Sequence, residues 1–520
     1  MSGTPDGPGP EPDVVIVGAG LTGCLLAVEL LDQDPSLRVL LLEAGAWAAP
    51  DHGQASGHGH EFHHRLYREH FARRTEIAPS GVIEAVGGGS LAWTAISPRP
   101  RPSELADWPE DVRSALDGSL LARAEQLLGV ATAHSDGPLA AATATRLRAA
   151  AAAGRLPFAD PPTGLEGYAT PIATASEGHA FSPVPRLNHA LAEHGTGPAP
   201  RLDLRTGCRL TGLAMAGGRV RTLRTTRGEI RLGSGTAVVL ATNTVEATRQ
   251  VLLALPDHPL AGRNLLGHLQ STLTMRVPLH SVRPDFVWGT LLVPGRGTDR
   301  HLHVQARLAH GPLAGDRVAA LRRLVPGLSG PGLFAGADDR HLAVHLTAVG
   351  EIGPTRADDT HRIVLSDTAV DSHGTPQAEV ASRQDLMDDP LWEEMDDALE
   401  AVAAVLAAPG TRYGGAPGDP TWSAAMPARS GWSHGGRRWE GCLHSAGTLW
   451  MSPSADFGVT DANGLVHGTD NLHVAGLALF PTAGSHNGGL TAVALTLALA
   501  DHLTGRSSAA TGEPSREVAA

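Results

Sequence analysis

Gly18-Ala-Gly20-Leu-Thr-Gly23 stands directly after a β-branched segment, Asp13 to Val17, and opens an amphipathic stretch from Leu21 to Leu31. A second apolar strand, Leu37 to Leu42, follows and runs into Glu43. Strand, tight glycine turn, helix and strand in that order make a βαβ unit. In G-x-G-x-x-G the first glycine permits the turn, the second lets backbone approach a pyrophosphate, and the third allows close helix packing. Glu43 then stands where a carboxylate accepts hydrogen bonds from a ribose diol. These residues predict a dinucleotide site and leave NAD and FAD equally open.

A chain of 520 residues, 42% of them hydrophobic, exceeds one small core and is too apolar for disorder, so two closely joined domains are expected. Its cysteines, Cys24, Cys208 and Cys442, show no close spacing. That argues against a disulfide framework, a zinc site or an iron–sulfur site, and it suits a cytoplasmic protein. The leader MSGTPDGPGPEPD lacks the charged and apolar regions of an export signal, and the apolar runs are too short or too broken by glycine to cross a bilayer. A formal net charge of -13 disfavours nucleic acid as a partner. The sequence contains no lysine, which excludes Schiff-base and pyridoxal-phosphate chemistry.

Residues 50–80 are polar and histidine-rich, with His52, His58, His60, His63, His64 and His70. No carboxylate or Cys/His spacing repeats a ligand pattern, so this stretch reads as a solvated loop over the cofactor or substrate mouth rather than a metal site. Further along, a helix is expected near Leu116 to Leu128, a loop from Pro157 to Pro185, and strands from Leu202 to Leu240. The block 276–440 carries alternating strands such as Leu342 to Val349 and a helix around Trp392 to Leu406, and is expected to form a sheet roofing the active site. From Cys442 the chain returns to glycine-rich turns and ends in an alanine/leucine helix near Leu503.

The stretch Val86-Gly-Gly-Gly-Ser-Leu-Ala-Trp-Thr-Ala-Ile-Ser-Pro-Arg99 resembles the flavin-contacting loop of the glucose–methanol–choline (GMC) oxidoreductases, and within them the pyranose 2-oxidase-like branch. Val238 to Arg249, Gly262 to Leu265, and Glu351 with Arg362 to Pro376 are similar to further segments of that family. His444-Ser-Ala-Gly-Thr-Leu-Trp-Met451, through Asn471 to Val474 and on to Asn487, follows its carboxy-terminal signature. The resemblance thus runs from residue 13 to about 503. It departs at Ala92, where those relatives carry the histidine that links covalently to flavin, at Ala475-Gly476 in place of an aspartate, and at Asn487-Gly488 in place of asparagine-proline.

What the resemblance implies is an α/β fold: a Rossmann-like FAD-binding domain with an inserted α+β substrate domain, of the GMC and p-hydroxybenzoate-hydroxylase-like architecture. The FAD domain is expected at 12–100, 200–275 and 440–505, the substrate domain at 101–199 and 276–439, and disordered tails at 1–11 and 506–520. FAD, bound noncovalently, would contact Gly18, Gly20, Thr22, Gly23 and Glu43; Gly88, Gly89, Ser90, Trp93 and Thr94; and Leu210, Ala475, Gly476, Asn487 and Thr491. His444 would be the catalytic base and Asn487 its partner, although His486 stands beside it. The helix opening near Gly489 would present its amides to charge developing on the flavin. The expected activity is oxidation of an alcohol on a small polyhydroxylated molecule, such as a sugar, aminosugar or glycosylated natural product, with oxygen or another electron acceptor. Two readings compete: a non-redox, lyase-like flavoenzyme of the same family, and a noncatalytic binding protein on the same fold.

Overall fold

The structure is a computed structural model that describes residues 11–51, 67–68, 71–73, 78–79, 81–135, 137–160, 168–175, 179–197, 199–283, 285–311, 337–353, 361–381, 389–414, 421–429, 437–439 and 441–506. The histidines of the run from His52 to His70, and both expected tails apart from Glu11 and Arg506, lie outside the described residues.

Strand β1 (Val14–Val17), helix α1 (Leu21–Gln33) and strand β2 (Val39–Leu42) form the βαβ unit read from the glycine motif. β1 pairs in parallel with β2 and with Ala237–Leu240, which pairs in turn with Leu472–Val474, while β2 pairs with Leu202–Arg205. The result is a five-stranded parallel sheet with β1 at its centre. β1, β2 and Ala237–Leu240 are apolar throughout because both their faces are buried, one against helices such as α1 and the other in a core that includes Leu210, Leu213, Val220 and Leu223, whereas the edge strand Leu202–Arg205 carries Asp203 and Arg205. The carboxy-terminal helix Gly489–Leu503 packs on α1, and Asn243 caps the helix Thr244–Ala254 by accepting the Glu246 N–H at 3.1 Å.

The second layer is an eight-stranded sheet built on long antiparallel strands Val287–Arg296, His301–His310, His341–Ile352 and Leu266–Pro278. Its sequences alternate with period 2. Leu269, Leu273, Met275, Val304, Ala306, Leu308, Val344 and Leu346 share an apolar cluster with Leu391, Trp392, Met395 and Leu399 of helix Leu391–Leu406. Each Val, Leu or Met side chain buried there contributes roughly 1.5–3 kcal/mol. Gly350 lets the helix approach, since a Cβ there would meet Leu391 Cδ2 and the Met395 sulfur at 2.8 Å. The opposite face of the same strands, with Gln270, Thr272, Gln305, Arg307, His345 and Thr347, closes over a cavity.

Several boundaries differ from the sequence expectation. The helical run expected from Leu116 begins at Glu110, after Pro109, with Glu110 and Asp111 in its first turn. It passes through a wide turn at Leu116–Leu120 and ends at Leu128 before Gly129. Its buried residues share a core with the parallel sheet and the carboxy-terminal helix, although 101–199 was expected to belong to the other unit. The strand Leu266–Pro278 lies wholly in the antiparallel sheet, across the boundary expected at 275. Pro138–Ala152 is an additional helix, and the expected loop ends at Val184, where another helix begins. Among the described residues no helix is long and apolar enough to cross a membrane.

Candidate active site

One cavity of about 730 Å³ runs from the glycine turn to the antiparallel sheet, a volume in the range of small-molecule and cofactor sites. At its first end, Gly18 has φ +102°, and a Cβ there would stand 2.8 Å from the Ala241 carbonyl oxygen, so the turn demands glycine. A Cβ on Gly20 would meet nothing within 4 Å, and Gly20, Leu21 and Thr22 line the cavity. Helix α1 starts there with no side-chain cap and no acidic residue in its first turn, which leaves its amino-terminal amides for an anion. Glu43 is buried and accepts hydrogen bonds from the N–H groups of Ala19 (2.9 Å) and Gly45 (2.7 Å). Burial raises its carboxyl above the usual range, against those two donors. Its remaining lone-pair capacity is open to a diol.

Gly88, Gly89, Ser90, Ala92, Trp93 and Thr94 line the middle of the cavity, with Leu210 and Gly476 nearby. Trp93 is held by its indole N–H to the Phe181 carbonyl at 2.7 Å. Gly489 opens the carboxy-terminal helix into the cavity without a side-chain cap. Three expected contacts lie off the cavity. Gly23 serves packing, since a Cβ there would fall 1.9 Å from the Gly18 carbonyl oxygen. Ala475 is buried with its N–H on Leu240 O, and the Thr491 side chain is fully buried with its hydroxyl 3.3 Å from His486 Nε2.

His444 lies on the strand Gly441–Ala446, which pairs with Leu266–Pro278 through a register shift between Leu266 and His268. His444 takes φ +53° at that irregularity, where a bulge re-aims a side chain. Its imidazole is T-shaped against that of His268, with Nδ1 to Nδ1 at 2.8 Å. His268 Nε2 stands 2.8 Å from the Gly484 carbonyl, which can only accept, so Nε2 carries the proton. Burial, then the neighbouring His444, holds His268 well below the ordinary histidine range and therefore neutral. Its bare Nδ1 must accept from His444 Nδ1–H. That leaves the His444 Nε2 lone pair for the cavity that His444 lines. Burial, with a smaller contribution from His486, lowers the His444 imidazole to about 4. His444 keeps partial exposure because one side of it faces the cavity.

Asn487 also lines the cavity, and its Oδ1 lies 3.5 Å from Gln305 Nε2. His486 does not line it; that ring is buried against Phe480, with Nδ1 3.6 Å from the Glu104 carboxylate. His444 and Asn487 therefore line one cavity, and His486 does not. His268, Gln305, Arg307 and His345 were not anticipated.

Comparison with known proteins agrees with this layout. Residues 361–496 match the family model described as GMC oxidoreductase, and residues 13–55, the βαβ unit with the turn that follows it, match one described as lycopene cyclase protein. An oxygen-dependent choline dehydrogenase from Chromohalobacter salexigens is 30% identical over 162 residues, 30% of this chain and 27% of that protein. The aligned part thus spans about a quarter of that curated relative. A pyridoxine 4-oxidase structure from Mesorbium loti superposes with a TM-score of 0.61 at 18% identity, covering 95% of this chain and 100% of that one, which is a likeness of fold. The matched carboxy-terminal segment contains both His444 and Asn487, so this part of the chain is similar to the GMC oxidoreductases, and the fold is of the GMC-type FAD-binding architecture.

Proposed function

We propose that the protein is an FAD-dependent oxidoreductase that converts an alcohol to an aldehyde or ketone. One observation carries this reading above all: the Gly484–His268–His444 hydrogen-bond chain leaves a neutral, bare Nε2 for the cavity that the glycine turn opens and that Asn487 also lines. The residues present fit FAD, because the uncapped start of α1 and the open space at Gly20 suit a pyrophosphate, and Glu43 suits a ribose. Ser90, Trp93 and Thr94 would follow along its ring. Bound FAD supplies the hydride acceptor, and oxygen or another acceptor restores it.

His444 Nε2 takes the hydroxyl proton, and the proton on Nδ1 stays shared with His268 as the imidazole becomes charged. The Asn487 amide donates to the substrate oxygen and holds the carbinol toward the base. Gln270, Thr272, Gln305 and Thr347 present amides and hydroxyls on the sheet wall, which favours a polyhydroxylated substrate such as a sugar. The run Val86 to Arg99 supports a position near the pyranose 2-oxidase-like branch. Anaerobic mixing with sugars, aminosugars, cyclitols and simple alcohols tests this directly. Bleaching of the flavin by polyols is expected, and bleaching by lipophilic or aromatic alcohols alone would overturn the substrate class.

Ala92 faces the cavity where a linking histidine stands in similar proteins, and alanine offers no nucleophile. FAD is therefore held noncovalently. Acid or heat precipitation should leave the yellow colour in the supernatant; colour retained in the pellet would point to another attachment residue.

A further inference from the structure

A guanidinium is costly to remove from water unless charge or hydrogen bonds compensate it. Three arginines are buried among the described residues: Arg249, Arg307 and Arg437. Arg249 pairs with Asp371 and Glu246, and Arg437 pairs with Glu400. Arg307 differs. It is 8% exposed on the cavity face of strand His301–His310, and no carboxylate among the described residues pairs with it. One terminal nitrogen donates to Gln305 Oε1 at 3.0 Å, while its Nε has no acceptor. Burial alone lowers the group to about 10, with no neighbouring acid to raise it. Its cross-strand neighbours are Thr290 and His345. His345 is held neutral by burial, lowered to about 3, with Nδ1 against the Thr274 hydroxyl.

We propose that Arg307 binds an anionic group of the substrate, a carboxylate or a phosphate ester, so that the alcohol oxidised here is a small acidic polyol. This rests on the alcohol-oxidation reading above. The planar fork of a guanidinium takes two oxygens of such a group at once. Gln305 bridges the two ends of the site, accepting from Arg307 through Oε1 and approaching Asn487 Oδ1 through Nε2 at 3.5 Å. Residues 305 and 307 are one period apart on the same strand face, about 7 Å. The anionic group therefore sits a few bonds from the carbon held at Asn487 and His444.

The test uses the FAD-loaded protein and matched compounds: neutral sugars and polyols, the corresponding uronic acids and phosphate monoesters, and aminosugars. The dependence of anaerobic flavin reduction on concentration reads affinity for each. An acid or a phosphate should bind on the order of 10²-fold more tightly than its neutral parent, and Arg307→Met should erase the difference. Which of the two gains more identifies the anion. Arg307→Lys, which keeps the charge but loses the fork, should retain part of the preference. Equal or tighter binding of neutral or aminated compounds by the wild type overturns the proposal. A second readout is independent of turnover: acetate and inorganic phosphate should perturb the flavin spectrum of the wild type and not of Arg307→Met. If no alcohol of any charge bleaches the flavin, the oxidation reading fails, yet an Arg307-dependent shift with either anion upholds the anion site and its absence overturns it. An Arg307→Met protein with altered FAD retention or flavin potential but unchanged anion preference would assign the residue to the cofactor and overturn the proposal as well.

Discussion

His444→Ala should remain yellow and reduce its flavin about 10²- to 10⁴-fold more slowly than the wild type, because the lost group accepts a proton in the transition state and makes no part of the FAD cradle. The pH dependence separates this role from a structural one. Neutral imidazole is the competent form, so the wild-type rate should rise with pH through one ionisation, displaced from the ordinary histidine value of 6.5 toward about 4 by burial and by His486. The variant should lose that rise. An ionisation belonging to the substrate would survive in His444→Ala, and an unchanged rate would remove His444 from the mechanism.

Gly20→Val should abolish FAD retention, weakening it at least on the order of 10²-fold, while leaving the fold intact. The position tolerates a side chain in the protein itself, since Gly20 has ordinary negative φ, -81°, and a Cβ there meets nothing within 4 Å. What the added atoms fill is the cavity in front of the α1 amides, where a pyrophosphate must approach backbone closely. Purified Gly20→Val is expected to be colourless, with thermal stability of the apoprotein within about 0.5 kcal/mol of wild type. Gly23→Val supplies the contrast. Its Cβ would overlap the Gly18 carbonyl oxygen, so it should lower apoprotein stability outright. A yellow Gly20→Val enzyme with unchanged FAD affinity would move the pyrophosphate away from this turn.

The βαβ unit was legible because its glycines, strands and Glu43 are local and their spacing is fixed by one turn. The strand His341–Ile352 and the helix Leu391–Leu406 were legible from periodicity alone. His268 was not, since it meets His444 across 176 residues and at a bulge whose register depends on the folded sheet. The run His-Leu-His-Val-Gln-Ala-Arg from His301 to Arg307 does alternate visibly. Periodicity shows that His303, Gln305 and Arg307 share a face, but not whether that face meets water or a cavity; the helix covering the other face decides it. Thr491 lies off the cavity for a related reason. A helix start offers backbone amides, so the side chain one turn in is free to point into the core. The boundary expected at 275 falls inside strand Leu266–Pro278, which lies wholly in the antiparallel sheet.

The most direct test of alcohol oxidation is a single anaerobic turnover in which flavin absorbance and carbonyl product are measured on the same sample. One aldehyde or ketone should form for each flavin bleached, with both lost together in His444→Ala. Product formed without bleaching would indicate a non-redox flavoenzyme, and a protein that neither holds flavin nor turns over any alcohol would indicate a binding protein; either result would rule out flavin-dependent alcohol oxidation.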